Sequence, residues 1–168
     1  MKIALTGTPG TGKSQVARLV DAGYTVIDLN ALVKDGSSLG KDAERGSLIA
    51  DLDRLAEYVG KLQGDYILEG HISHLLPADQ VIVLRAAPAV LRKRLKERGW
   101  SPAKIAENVE AEALDVILVE ALELHSNVRE IDTTARSPEE TAAAVREVLA
   151  GTDKYKPGSV DFSEELAP

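Results

Sequence analysis

Short apolar runs alternate with amphipathic stretches along most of the chain. Five runs have strand character: Lys2–Thr6, Thr25–Asp28, Tyr66–Glu69, Gln80–Arg85 and Val128–Asp132. Val81-Ile82-Val83-Leu84 is apolar at consecutive positions, the pattern of a strand covered on both faces, as central strands of parallel sheets are. The stretches between them have helical spacing and predict helices over 13–21, 52–61, 88–98, 102–125 and 138–150. Gly23, Gly99 and Gly151 stop three of them, and Pro88, Pro102 and Pro138 each stand at a first helical position. Ser101 and Ser137 precede two of these prolines as N-caps, and Glu140 completes a capping box with Ser137. Strand–helix alternation of this kind predicts an α/β fold with a parallel sheet covered by helices on both sides. Two stretches fall outside it. Residues 35–47, rich in Gly, Ser and charge, read as a mobile loop, and the acidic tail 151–168 as partly ordered at best.

The first strand leads directly into Gly7-Thr8-Pro9-Gly10-Thr11-Gly12-Lys13-Ser14, which spells G-x-x-x-x-G-K-S. Glycines let successive N–H groups turn inward onto phosphate oxygens, Lys13 supplies a mobile positive charge, and the Ser14 hydroxyl can ligate Mg²⁺. A chance match in a chain of this size is on the order of one in a hundred. The preceding strand and following helix make coincidence rarer still. These residues predict a nucleoside triphosphate site.

Composition narrows the remaining classes. The chain has 168 residues, enough for one domain with a proper core, and no cysteine, which excludes disulfides, thiolate metal sites and a cysteine nucleophile. Its net charge of −7 argues against strong direct nucleic-acid binding. Apolar runs break within five or six residues, far short of a membrane span. A start that enters a strand at once leaves no room for a signal peptide, so a cytoplasmic protein without membrane partners is expected.

The chemistry is expected beyond the carboxyl ends of the strands, where open α/β sheets bind ligands. Glu69 ends the third apolar run, in the position of an acid that holds Mg²⁺ directly or through water. His71, two residues on, is placed to orient a water or relay a proton. His71 and His74 have the spacing of a metal pair, but no third ligand of matching type accompanies them. Residues 92–100 carry the densest basic run. Arg94 and Arg98 share one helical face, with Leu91 and Leu95 turned inward, and two arginines at one site suit the charge that develops in phosphoryl transfer. Gly99 and Trp100 then form a hinge for a short lid. On the acceptor side stand Asp28, Asn30 and Arg54; Arg54 clamps a monophosphate or pairs with Asp51 or Glu57. Arg136, after the fifth run, stacks on a base or lies exposed.

The phosphate loop, Leu68-Glu69-Gly70-His71, residues 91–99 and Asn108-Val109-Glu110-Ala111-Glu112 occur together in an order that resembles the adenylate kinase isoenzyme 6 family, the coilin-interacting nuclear ATPases and their archaeal relatives. The resemblance covers about residues 1–150. The Arg-Gly-aromatic step followed by Asn-x-x-x-Glu is more particular to that group than the loop is, and Glu-Gly-His looks like its archaeal form. The resemblance implies a three-layer α/β/α P-loop kinase fold with a five-stranded parallel sheet. It also implies a short monophosphate-binding arm near 28–51 and a short lid near 98–108. The implied reaction is ATP + AMP giving two ADP, with Mg²⁺ and an accompanying ATPase activity. Carried over, Gly10, Thr11, Gly12, Lys13, Ser14 and Gln15 contact the ATP phosphates, Arg98 is the lid arginine, and Arg136 lies by the adenine. Gln15 departs from the Thr or Ser usual there, although its backbone N–H can still serve. The family also takes part in small-subunit ribosomal RNA maturation through a ribosomal protein with a basic tail, a partner that an acidic chain suits.

Three readings stay open at this level. One is an adenylate-type kinase, one a nucleotide-gated ribosome assembly factor whose ATPase cycle releases a ribosomal protein, and one a kinase for another small hydroxylated metabolite.

Overall fold

The computed structural model describes residues 1–20, 22–41, 48–50 and 52–166. Its five-stranded sheet is parallel throughout, with the order β2-β5-β1-β6-β7. The strands are β1 (Lys2–Thr6), β2 (Thr25–Asp28), β5 (Tyr66–Glu69), β6 (Gln80–Arg85) and β7 (Val128–Asp132), all with the bounds read from the sequence. The central place of β1 puts the glycine-rich loop in the middle of the sheet's carboxyl edge. In register, Glu69 of β5 lies beside Leu5 of β1 on one side and Asp28 of β2 on the other.

Helices cover both faces. Helix α1 (Lys13–Leu19) and α7 (Pro138–Leu149) pack together over one face, where Val16, Ile3, Leu84, Ile131 and Val145 form the main core. Helices α4 (Pro88–Glu97), α5 (Pro102–Ala113) and α6 (Val116–Leu124) lie on the other side, with Leu91, Leu95, Ile105 and Val109 packed around Trp100. The short α2 (Leu29–Leu32) and α3 (Leu52–Lys61) enclose a third cluster around Leu29, Leu55 and Leu68. Ser101 and Ser137 cap α5 and α7, the latter with the complete capping box to Glu140. Helix α4 closes through Gly99, whose φ of +77 lets Trp100 N bond the Leu95 carbonyl and Gly99 N that of Lys96, the paired bonds of a left-handed helix stop.

Three sequence expectations need correction. The helix expected over 102–125 is two helices, broken where Asp115 adopts φ +56 and its carboxylate pairs with Arg85 of β6. Its hydrophobic spacing runs across the break, so nothing local announced it. Within 35–47, read as a loop, a short π-type turn (Val33–Ser37) leads into β3 (Ser38–Lys41), which pairs antiparallel with β4 (Leu48–Ala50). Residues 42–47 of that stretch lie outside the described residues. Residues 151–166 of the tail pack onto the domain: Tyr155 joins the main core, Gly158 N and Ser159 N bond Glu130, and Phe162 covers Arg85. Its anchors are backbone amides and two aromatic rings, neither of which a polar composition reveals.

Candidate active site

The loop between β1 and α1 takes a shape that only glycine allows at two of its corners. Gly7 has φ +143, and a Cβ there would meet the Leu84 carbonyl oxygen at 2.4 Å; Gly10 has φ +96 and lies against Leu91 and Leu95. The loop is held from three directions. Thr8 Oγ1 donates to Glu112 Oε2 at 2.6 Å, Arg94 Nη1 to the Gly10 carbonyl at 3.0 Å, and Thr133 Oγ1 to the Thr11 carbonyl at 3.3 Å.

Lys13 is buried, its Nζ donating to the Gly7 carbonyl at 2.7 Å and the Thr8 carbonyl at 3.2 Å. Desolvation lowers its pKa to about 8, helped by Arg98 and opposed by Glu69 and Glu112. Glu69 is also buried. Burial raises its pKa, with Asp28 adding to the rise, while Lys13 and a hydrogen bond from Ser14 act against it. His71 opens to solvent on one side of the cleft. Desolvation, then Lys13 and His74, push its pKa down to about 4, so its ring is neutral at pH 7.

Two cavities meet at the loop. One, of about 250 Å³, is lined on its far side by Asn30, Glu69, His71 and Trp100. The other, of about 660 Å³, runs past Arg18, Arg94, Thr133 and Arg136. Gly10, Gly12, Ser14, Gln15 and Arg98 belong to both, so Arg98, at the end of α4, stands where the two spaces join.

Of the residues singled out in the sequence, Gly10, Gly12, Lys13, Ser14, Gln15, Asn30, Glu69, His71 and Arg98 come together around the smaller cavity. Thr11, Arg94 and Arg136 face the larger one. Arg136 Nε donates to the Asp132 carbonyl and its guanidinium lies 5.7 Å from the Tyr155 ring. Asp28 and Arg54 line neither cavity. The Asp28 carboxylate caps α2, accepting from Asn30 N at 2.9 Å and Ala31 N at 3.1 Å. Arg54 lies exposed on α3, where Lys61 and, after it, Arg54 hold the Glu57 carboxyl low; Asp51 lies outside the described residues. His74 is buried and engaged elsewhere, bonded to Thr6 Oγ1 and Glu120 Oε2. Among the described residues no three His, Cys, Asp or Glu side chains cluster as a metal site.

Sequence reasoning passed over Arg85 and the use made of Glu112. Arg85 is buried at the end of β6, donating through Nε to Glu112 Oε1 at 2.9 Å and through Nη1 to Glu130 Oε1 at 2.6 Å, and pairing with Asp115. An arginine directly after the apolar run Val81–Leu84 of a central strand was the one available signal, since such a charge is seldom buried without acids around it.

A strand–loop–helix phosphate cradle on the central strand of a parallel sheet, with an acid at the end of the adjoining strand, defines a phosphate-loop domain. The AAA domain family matches residues 3–115. A chain from Archaeoglobus fulgidus named "Putative adenylate kinase" is 52% identical over 172 residues, covering 99% of this chain and 94% of its own. Chains bearing the same name from Natronomonas pharaonis (45% identical, 99% of this chain and 100% of that one) and Methanothermobacter thermautotrophicus (46%, 96% and 96%) are similar along nearly their whole length. The chain belongs to this archaeal family, the adenylate kinase isoenzyme 6 group expected from its motifs. Its fold is similar to that of the YorR protein of Bacillus subtilis, solved with phosphorylated GDP (TM-score 0.62, 20% identity, 89% of this chain and 96% of that one). Shikimate kinase from Acinetobacter baumannii, solved with shikimate, is similar to the same degree (0.61, 18%, 92% and 95%). No helix among the described residues is long and apolar enough to cross a membrane.

Proposed function

We propose that this chain is an adenylate-type nucleoside monophosphate kinase, transferring the γ-phosphoryl group of ATP to AMP to give two ADP. One observation carries the reading: two cavities share the phosphate loop and Arg98, as a site for a donor and an acceptor must. ATP lies with its base along the Arg136 side and its phosphates on the loop; the acceptor enters past Asn30 and Trp100. An oxygen of the AMP phosphate attacks the γ-phosphorus, the bond to the β–γ bridging oxygen breaks, and its electron pair leaves with ADP. Lys13 and Arg98 supply positive charge as negative charge shifts in the transition state. Asp28 supports the acceptor side by fixing α2 and so Asn30, and Arg54 steers the monophosphate from α3. The arm near 28–51 and the lid near 98–108 close over the two substrates.

Ser14 and Glu69 fit Mg²⁺. The Glu69 carboxylate is buried and lines the smaller cavity together with Ser14, and one carboxylate with one hydroxyl is the sparse protein contribution that Mg²⁺ accepts when phosphates and water complete its shell. When bound, the ion neutralises part of the triphosphate charge.

A neutral His71 beside the loop favours a second activity at the same site, ATP hydrolysis, in which its ring orients the attacking water. That activity would serve small ribosomal subunit maturation in the cytoplasm, with a basic-tailed ribosomal protein drawn to the net charge of −7.

The kinase reading is tested with a mimic joining two adenosines through five phosphates. Spanning both cavities, it should bind far more tightly than ATP through linkage of the two sites, and Arg98→Ala should erase much of that advantage. A mimic that binds no better than ATP points to hydrolysis alone.

A further inference from the structure

We propose that Glu112 is a positioning residue for the phosphate loop, acting on it through the hydroxyl of Thr8. The proposal rests on the nucleotide-binding reading above and concerns a side chain that lines neither cavity. Thr8 is the corner on which the first turn of the loop depends. Its carbonyl accepts from Lys13 Nζ at 3.2 Å, Thr11 Oγ1 at 2.9 Å and Thr11 N at 3.2 Å. Its hydroxyl donates to Glu112 Oε2 at 2.6 Å across 104 residues of chain.

Glu112 is itself fixed. Its other oxygen accepts from Arg85 Nε at 2.9 Å and Ala86 N at 3.0 Å, and its carbonyl accepts from Arg85 Nη2 at 3.0 Å. Arg85 is oriented in turn by Glu130, whose second oxygen accepts from Gly158 N and Ser159 N of the tail. A rigid acid therefore holds a loop corner from behind. The consequence appears when a phosphate arrives. Lys13 Nζ turns toward it and withdraws donors from the Gly7 and Thr8 carbonyls, and the Thr8–Glu112 bond then joins the two bonds from Thr11 in keeping the first turn in its ligand-ready shape. A hydrogen bond to a buried carboxylate is strong enough for that task. The same contact gives the Asn-x-x-x-Glu motif its use: Asn108 Nδ2 bonds back to the Lys104 carbonyl within α5, and Glu112, one turn on, reaches the loop.

The test is calorimetric titration of the full chain with Mg·ATP, alongside thermal midpoints, for wild type, Thr8→Val, Thr8→Ser, Glu112→Gln and the Thr8→Val/Glu112→Gln double variant. Thr8→Val and Glu112→Gln should each weaken ATP about tenfold. The double variant should be no weaker than the poorer single one within about twofold, because both remove one interaction. Thr8→Ser, which restores the hydroxyl, should recover the affinity. Should Glu112→Gln fail to fold, the Thr8→Val and Thr8→Ser pair still decides. If folded Thr8→Val binds ATP as wild type does and only its thermal midpoint falls, the contact is merely structural and the proposal is overturned. Losses that multiply to about a hundredfold in the double variant overturn it too. A wild type that takes up no ATP would instead strike the nucleotide reading itself.

Discussion

Arg94 Nη1 donates to the Gly10 carbonyl at 3.0 Å, so the arginine one turn before Arg98 is tied to the frame of the phosphate loop. Arg98 caps the same helix and borders both cavities. Two arginines four residues apart on one helical face thus stand in different surroundings.

Arg98→Ala should lower turnover by about two orders of magnitude, roughly 3 kcal/mol, with a much smaller change in ATP affinity, because its charge meets charge that develops in the transition state. Arg92, exposed on α4 and lining neither cavity, is the control and should change little as Ala. Steady-state kinetics of the two variants would show equal effects if the assignment of helix faces were wrong.

Glu69→Gln should leave nucleotide affinity nearly intact and raise the Mg²⁺ concentration needed for half-maximal turnover, since loop amides do most of the phosphate binding. A pH dependence follows from the raised pKa. The carboxylate takes up its proton at a higher pH than an exposed glutamate does, so activity limited by Mg²⁺ should decline earlier on acidification in wild type than in the variant. Superimposable Mg²⁺ titrations of the two proteins would make Glu69 structural.

Lys13 gives a dependence of the opposite sense. With a pKa of about 8 in the ligand-free fold, it loses its charge as pH rises from 7 to 9, and ATP affinity should fall across that interval. Stability of the ligand-free protein moves the other way. The unfolded chain keeps this proton up to about 10.5, so between 8 and 10.5 it binds more protons than the fold, and stability rises with pH as far as Lys13 is concerned. Calorimetry at several pH values should show the affinity slope in wild type and not in Lys13→Met.

The tail should behave as part of the domain. Glu130→Gln should cost about 3 kcal/mol, because it leaves a buried arginine short of a partner, and Phe162→Ala about 1 kcal/mol through the lost ring over the guanidinium. Urea unfolding monitors both. Changes within a few tenths of a kilocalorie would mean that the tail's contacts with Glu130 and Arg85 do not stabilise the fold.

Local grammar explains what the sequence made legible. Consecutive apolar residues, prolines at first helical positions, glycine stops and the glycine-rich loop act over a few residues, and from them all five strands of the main sheet and the phosphate cradle could be read. Long-range contacts explain the rest. Leu114-Asp115 carries no glycine or proline, and the break there is matched by the pull of Arg85, 30 residues earlier. Glu112 reads as one more charge on an amphipathic helix until β6 and the loop are seen beside it. Asp28, expected at the acceptor, is engaged with the start of its own helix, since a short acid before a turn caps whatever amides are nearest. Residues 38–50 carry too little β pattern to announce the β3–β4 pair.

Phosphorus NMR of the full chain with Mg·ATP and AMP, run beside Lys13→Met, tests phosphoryl transfer itself. ATP and AMP should disappear together as ADP accumulates, two for each pair consumed, and the variant, lacking the cation on the loop, should form none above background. Formation of ADP and inorganic phosphate with AMP untouched would contradict it.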